Sequence, residues 1–251
     1  MGRALLAAAI VAAIAFSVFP EIDLWVSGLF YDSDGGFHLN GAWWTVFLYE
    51  AIPVVAMLVG GGALLLLIRN LAVRGRASRV VSREDIFPEV TARSGALRSG
   101  RAVRSTRFLL FVLLALAVGP GLVVNAGLKD NWGRARPRDV TQFGGGRQFT
   151  PALVPSDQCE RNCSFVAGHP SVMFWLAALA WAASGRRRRQ VLAVAVTLGL
   201  VAGLGRIAQG GHFLSDVMFS GIVTLTVVWA LATRVFKLDA PRGTTRRSGA
   251  R

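Results

Sequence analysis

Runs of nearly unbroken apolar residues recur along this chain, separated by polar connections. A helix of about 20 such residues crosses the ~30 Å hydrocarbon core of a bilayer. There, each backbone N–H and C=O must find its partner within the segment, and a helix provides one. No other feature constrains the chain as much. The runs lie at about residues 4–19, 43–68, 108–128, 169–184, 190–208 and 213–235. Composition agrees, with 53% hydrophobic and 17% charged residues, where a soluble domain carries roughly a quarter charged. The expected fold is all-α, a polytopic membrane protein built as a six-transmembrane-helix bundle, with residues 1–251 forming one membrane-embedded domain. The first run begins like a signal peptide, but Phe19-Pro20-Glu21 follows it in place of a small-residue cleavage site, so an uncleaved helix is expected. Glu50, inside the second run, reads as a boundary or bundle-facing residue.

The formal net charge of +14 suits either nucleic acid or an anionic membrane surface, and placement decides between them. Residues 20–42 carry Glu21, Asp23, Asp32 and Asp34 and no Lys or Arg. The connection at about 69–107 carries ten arginines, 185–189 reads GRRRR, and the tail from about 236 is basic. Lys and Arg collect on the cytoplasmic side. Both termini, the basic loop and GRRRR are therefore expected inside, where anionic lipid head groups are their partners. No aromatic-interleaved basic platform is present, and nucleic acid is not an expected partner. The loops at 20–42, 129–168 and 206–212 are expected outside. The outer loop holds Cys159 and Cys163. An oxidising exterior permits a disulfide between them, and two free thiols are the alternative. No further Cys or nearby His completes a zinc site, and neither a metal nor a cofactor is expected.

Three outer segments concentrate the chemistry: KDNWGRARP from Lys129 to Pro137, SFVAGHP from Ser164 to Pro170, and GRIAQGGHFLSD from Gly205 to Asp216. Lys129, Arg136 and Arg206 supply cations, and an arginine fork matches phosphate oxygens. Gly168 and His169 open a helix whose free N–H groups favour an anion. His212 and Asp216 are four residues apart, so on one helix they share a face. The carboxylate would then hold one imidazole nitrogen and leave the other nucleophilic. His169 is placed to protonate a leaving oxygen. Any one of these residues alone reads more readily as an interfacial anchor than as a functional group. Their joint occurrence at one membrane face points to phosphoryl transfer.

These segments resemble the type 2 phosphatidic-acid phosphatase superfamily. Its first motif, Lys, six residues, Arg-Pro, corresponds to Lys129 through Arg136-Pro137. Its second, Pro-Ser-Gly-His, aligns with Val166-Ala167-Gly168-His169. Its third, Ser-Arg, five residues, His, three residues, Asp, aligns with Gly205-Arg206, His212 and Asp216. The resemblance implies His212 as a nucleophile that forms a phosphohistidine, with Asp216 in support and His169 as the acid. It implies Lys129, Arg136, Arg206, Ala167 and Gly168 as the phosphate-binding set. Ala167 departs from the pattern by lacking the family's serine hydroxyl. A serine restored there is expected to raise turnover by one to three powers of ten, since one donor at developing charge is worth about that much. The implied protein is a metal-independent phosphatase of a phosphorylated membrane lipid. It would sit in the bacterial inner membrane with its site on the periplasmic or extracellular side. NWGRARPRDV and the long outer loop look most like lipid A 1-phosphatases. Phosphatidylglycerophosphate or undecaprenyl pyrophosphate phosphatases, a lipid phosphotransferase, and a catalytically weakened lipid-binding or transport protein are the alternatives.

Overall fold

The structure, a computed structural model, describes residues 1–81 and 105–238. The greater part of the basic connection, and the tail beyond Leu238, lie outside the described residues. Helix α1 (Gly2–Val18) turns at Phe19-Pro20 into the short α2 (Glu21–Gly28), bent from it by 85°. A two-stranded antiparallel hairpin follows, Tyr31–Asp32 against Gly36–Phe37. Helix α3 (Trp43–Val81) carries the second apolar run. Helix α4 (Ser105–Lys129) widens into a π-helix over Ala117–Lys129. That stretch contains Pro120, which has no N–H to donate and whose ring blocks regular α-helical bonding; the Asn125 side-chain amide donates to the Pro120 carbonyl at 2.6 Å. Helix α5 (Gly168–Trp175) tightens into a 3-10 turn at Leu176–Ala182, and α6 (Gly185–Ala208) and α7 (Leu214–Ala230) follow. Leu231–Val235 extends α7 as a π turn.

Among the described residues, four helical segments are long and apolar enough to cross a bilayer: Trp43–Val73, α4, α6 and Leu214–Val235. The bent pair α1–α2 makes up to five. The protein is therefore a mostly helical, multi-pass membrane protein, but the expected count of six is not reached. The shortfall lies at 168–182, where eight α-helical residues and seven 3-10 residues rise only ~26 Å together. A second correction concerns GRRRR. These residues are not a connection but the first turns of α6, which starts at Gly185.

Large apolar side chains face outward on α1 and α3, among them Val11, Ile14, Met57, Leu58 and Leu65. Water would not tolerate so long a stripe, whereas lipid does. Inside, Phe111, Val112 and Ala115 of α4 pack on Trp175 and Ala178, and on Val228 and Ala232. The small residues bring the backbones close, as helix contacts in lipid require. The Trp175 indole N–H donates to the Val112 carbonyl at 3.0 Å.

This up-and-down order has one consequence for chemistry. The end of α4, the start of α5, the end of α6 and the start of α7 meet at the same end of the bundle. Arg107, the GRRRR segment and Arg234 mark the other end.

Candidate active site

Five residues, Gln209 to Phe213, join α6 to α7. His212 stands in this connection and is buried. Its Nδ1 lies 2.7 Å from the Ser164 carbonyl oxygen. A carbonyl can only accept, so Nδ1 carries the proton and Nε2 keeps a free lone pair. Burial pushes the imidazole down to about 3; the Asp216 charge opposes the fall, and Arg206 and Arg136 add to it. His212 is thus a neutral imidazole with one defined tautomer.

Asp216 meets His212 differently from the expectation of a shared helix face. Its Oδ2 is 3.8 Å from Nδ1, beyond a hydrogen bond. His212 precedes α7 and so lies outside its helical register. The carboxylate is also fully engaged elsewhere. Oδ2 accepts from the Ser164 hydroxyl and from the Phe213 N–H at 2.8 Å, and Oδ1 accepts from Arg134 at 2.6 Å. Asp216 therefore acts on His212 as a nearby charge, and the Ser164 carbonyl sets the ring.

Lys129, Asn125, Gly168 and His169 form the polar side of a cavity of about 300 Å³, and Ile52, Pro53, Ala56 and Val172 form its apolar side. A Cβ on Gly168 would meet Asn125 Oδ1 at 2.7 Å and Lys129 Nζ at 3.4 Å. Glycine thus leaves the Asn125 and Lys129 side chains room beside the start of α5. Arg206 occupies the last turn of α6, buried, with Nη1 donating to Gln209 and Nε without a partner among the described residues. A Cβ on Gly211 would lie 2.5 Å from Arg206 Nη2, so glycine keeps that space open. Tyr49 of α3 ties two groups together: its ring stacks on His169 at 4.4 Å, and the Arg206 guanidinium lies 4.8 Å above it. Arg136 donates to the Asn162 carbonyl at 2.6 Å. The charges of Arg206, Lys129 and Arg136 all act on His169, and those of Arg206 and Arg136 on His212. The predicted histidines and cations therefore share one electrostatic environment.

Of the predicted residues, Lys129, Gly168 and His169 line this cavity, whereas His212, Asp216, Arg136, Arg206 and Ala167 do not. Ala167 is turned into the protein interior. Its methyl is fully buried against Ile207 and Val217. Its N–H donates to the Asp216 carbonyl at 3.2 Å, and its carbonyl accepts from the Ser220 hydroxyl at 2.7 Å. None of these groups is free for phosphate. The expected gain from a serine is corrected accordingly. Ala167→Ser should change kcat by less than about threefold and cost about 1–3 kcal/mol of stability, because the new hydroxyl is buried among apolar groups. Steady-state phosphate release and thermal unfolding in detergent check both parts; a tenfold gain would restore the original expectation.

Cys159 and Cys163 are disulfide-bonded. The Cys163 N–H donates to the Lys129 carbonyl at 3.0 Å, which fastens this loop to the end of α4. Sequence reasoning missed Tyr49, Asn125, Ser164 and Gln209, and two buried charges, Asp23 and Arg134. Arg134, Ser164 and Gln209 offered a signal, since each lies inside one of the three outer segments; Tyr49, Asn125 and Asp23 lie outside them.

The PAP2 superfamily matches residues 108–239, from the start of α4 past the end of α7. The lipid A 4′-phosphatase of Francisella tularensis subsp. novicida is 32% identical over 235 residues, covering 89% of this chain and 90% of that protein. The protein of the same name from Rhizobium leguminosarum is 36% identical over 123 residues, covering 49% of this chain and 53% of its own. That from Rhizobium etli is 35% identical over 117 residues, covering 47% and 46%. No solved structure matches. The family match spans more than half of the chain and contains both histidines, Asp216 and all three cations, and one relative runs alongside nearly the whole sequence; the chain accordingly belongs to the PAP2 superfamily, as a bacterial lipid phosphatase that hydrolyses phosphate esters.

Proposed function

We propose that this protein removes the 4′-phosphate of lipid A at the periplasmic face of the inner membrane, through a phosphohistidine on His212. The observation that carries the chemistry is the fixed, neutral His212, with Nδ1 bound to the Ser164 carbonyl and the charges of Arg206 and Arg136 acting on the ring. The position on lipid A is drawn from the relatives, each of which bears the 4′ name. It replaces the 1-phosphate favoured by the sequence segments alone. A cavity with one cationic and one apolar side suits a phosphorylated amphiphile.

Nε2 of His212 attacks phosphorus in line, and the bond from phosphorus to the sugar oxygen breaks. His169 gives its proton to that oxygen. The negative phosphate offsets the three cations that otherwise disfavour the imidazolium. Lys129, Arg136 and Arg206 stabilise the charge spread over the transferring oxygens. Water then attacks phosphorus, the bond from phosphorus to His212 Nε2 breaks, and His169 takes up the water's proton. The chain's own cations compensate the phosphate charge, and a chelator is expected to leave activity intact.

A panel of purified substrates tests the reading. Phosphate release should be fastest from the 4′ position of lipid A and slower from its 1 position, phosphatidylglycerophosphate and undecaprenyl pyrophosphate. Preference for either of the last two would overturn the lipid A assignment. Transfer to an added lipid acceptor without free phosphate would indicate a phosphotransferase. For the membrane face, a cysteine placed at Gly146 should react with an impermeant reagent in intact spheroplasts. Reaction only after lysis would reverse the orientation.

A further inference from the structure

Arg134 lies two residues before Arg136, yet it is completely buried and no part of it faces the cavity. Its Nε donates to the Thr150 carbonyl at 2.8 Å. Nη1 donates to the Ser215 hydroxyl at 2.8 Å and to Asp216 Oδ1 at 2.6 Å, and Nη2 donates to Asp23 Oδ2 at 2.8 Å. The guanidinium also lies 4.3 Å above the Phe213 ring. Asp23 grips the same helix start a second time, since its Oδ1 accepts from the Ser215 N–H at 2.8 Å and its Oδ2 from the Ser215 hydroxyl. One arginine is thus shared by two buried carboxylates from distant parts of the chain, α2 and α7.

Such a cluster is a poor device for stability. Desolvating three charges costs several kcal/mol per ion, and an apolar replacement is often no less stable. Its geometry has another use. The Arg134 side chain fixes Asp216, the carboxylate nearest the imidazole. The Arg134 main-chain carbonyl accepts from the Ser164 N–H at 2.8 Å, and the Ser164 carbonyl holds His212 Nδ1. Both settings of the nucleophile, its ring orientation and its neighbouring charge, therefore run through this residue.

We infer that Arg134, clamped by Asp23 of α2, is a positioning residue that aims His212 Nε2 at the phosphorus. It touches no substrate and acts through Ser164 and Asp216. The inference rests on the phosphatase reading of His212, though not on lipid A as its substrate. Aim matters most in the transition state, where nitrogen and phosphorus must align, and less when phosphate merely rests among the cations.

The test uses the full-length protein in detergent with the variants Asp23→Asn, Arg134→Lys and Arg134→Gln. Orthovanadate serves as the five-coordinate transition-state mimic and inorganic phosphate as the ground-state ligand. kcat should fall about 10–100-fold, and the vanadate inhibition constant should rise by a similar factor. KM and the phosphate inhibition constant should move less than about threefold. Equal weakening of vanadate and phosphate would overturn the inference, because a loosened fold spoils both. Unchanged constants would overturn it too. Asp23→Asn keeps the shape and an acceptor for Ser215, so it carries the test if an Arg134 variant does not fold. Each variant is assayed on lipid A and on p-nitrophenyl phosphate. A parent active only on the soluble ester would end the lipid A reading and still test the clamp.

Discussion

Replacing His212 with glutamine should leave at most about one part in 10⁴ of the parent's phosphate release, the scale seen when a nucleophile is removed from a preorganised site. Glutamine fills similar space and can still donate to the Ser164 carbonyl, but it offers no nitrogen lone pair to phosphorus. Lys129, Arg136 and Arg206 remain, and inorganic phosphate should still bind. A variant retaining more than about 1% of kcat would move the nucleophile elsewhere. Proton linkage gives the same substitution a second signature. In the folded protein His212 stays neutral down to about 3, whereas an unfolded histidine takes a proton near pH 6.5. Between these values the unfolded state binds the extra proton. The parent's stability from this group is therefore whole above about pH 6.5 and drains away as pH falls toward 3. Glutamine has no such linkage. The unfolding midpoint of His212→Gln, relative to the parent, should accordingly rise between pH 7 and pH 5. A constant difference across that range would mean that His212 is not buried neutral.

Arg206→Lys should lower kcat/KM about 100-fold although it keeps the positive charge, and Arg206→Ala about 1,000-fold. Arg206 is positioned by its shape as much as by its sign. Nη1 is taken by Gln209, the planar group lies over Tyr49, and the missing Cβ of Gly211 makes room for Nη2. Nε is buried without a partner among the described residues. A buried donor left unmatched costs about 1–3 kcal/mol, a cost that a bound phosphate oxygen relieves. Lysine supplies neither the fork nor the flat face, so Tyr49 and Gln209 lose their contacts as well. Steady-state kinetics on lipid A measure the effect. A lysine variant within about threefold of the parent would reduce Arg206 to a simple point charge.

The chemistry-bearing residues were legible because their spacing is local. Lys129 and Arg136 belong to one polar segment, and Arg206, His212 and Asp216 to another, so the order of apolar runs already brings them to one end of the bundle. How they meet was less legible. The four-residue interval between His212 and Asp216 suggested one helix face, but α7 begins only at Leu214, and the ring turns to the Ser164 carbonyl instead. Any residue has a carbonyl, so nothing in the identity of Ser164 announces that role. Ala167 shows the converse failure: its position beside Gly168 and His169 suggested contact with the anion, and packing against Ile207 and Val217 decided otherwise.

By itself, the sequence determined that this is a helical membrane protein with a polar, cationic end, because hydropathy and charge act over stretches of chain and survive without knowledge of distant contacts. It also pointed to His169, His212, Asp216, Lys129, Arg136 and Arg206 as candidates, since their chemistry is intrinsic to their side chains. The tertiary structure alone decided the tautomer of His212, the place of Tyr49 beneath both His169 and Arg206, and the union of Asp23, Arg134 and Asp216. Asp23 and Asp216 are separated by most of the chain, and only the packing of α2 on the start of α7 gives them one shared arginine. Such contacts depend on directions and distances of a few ångströms, which residue identity and spacing do not encode until the helices are packed.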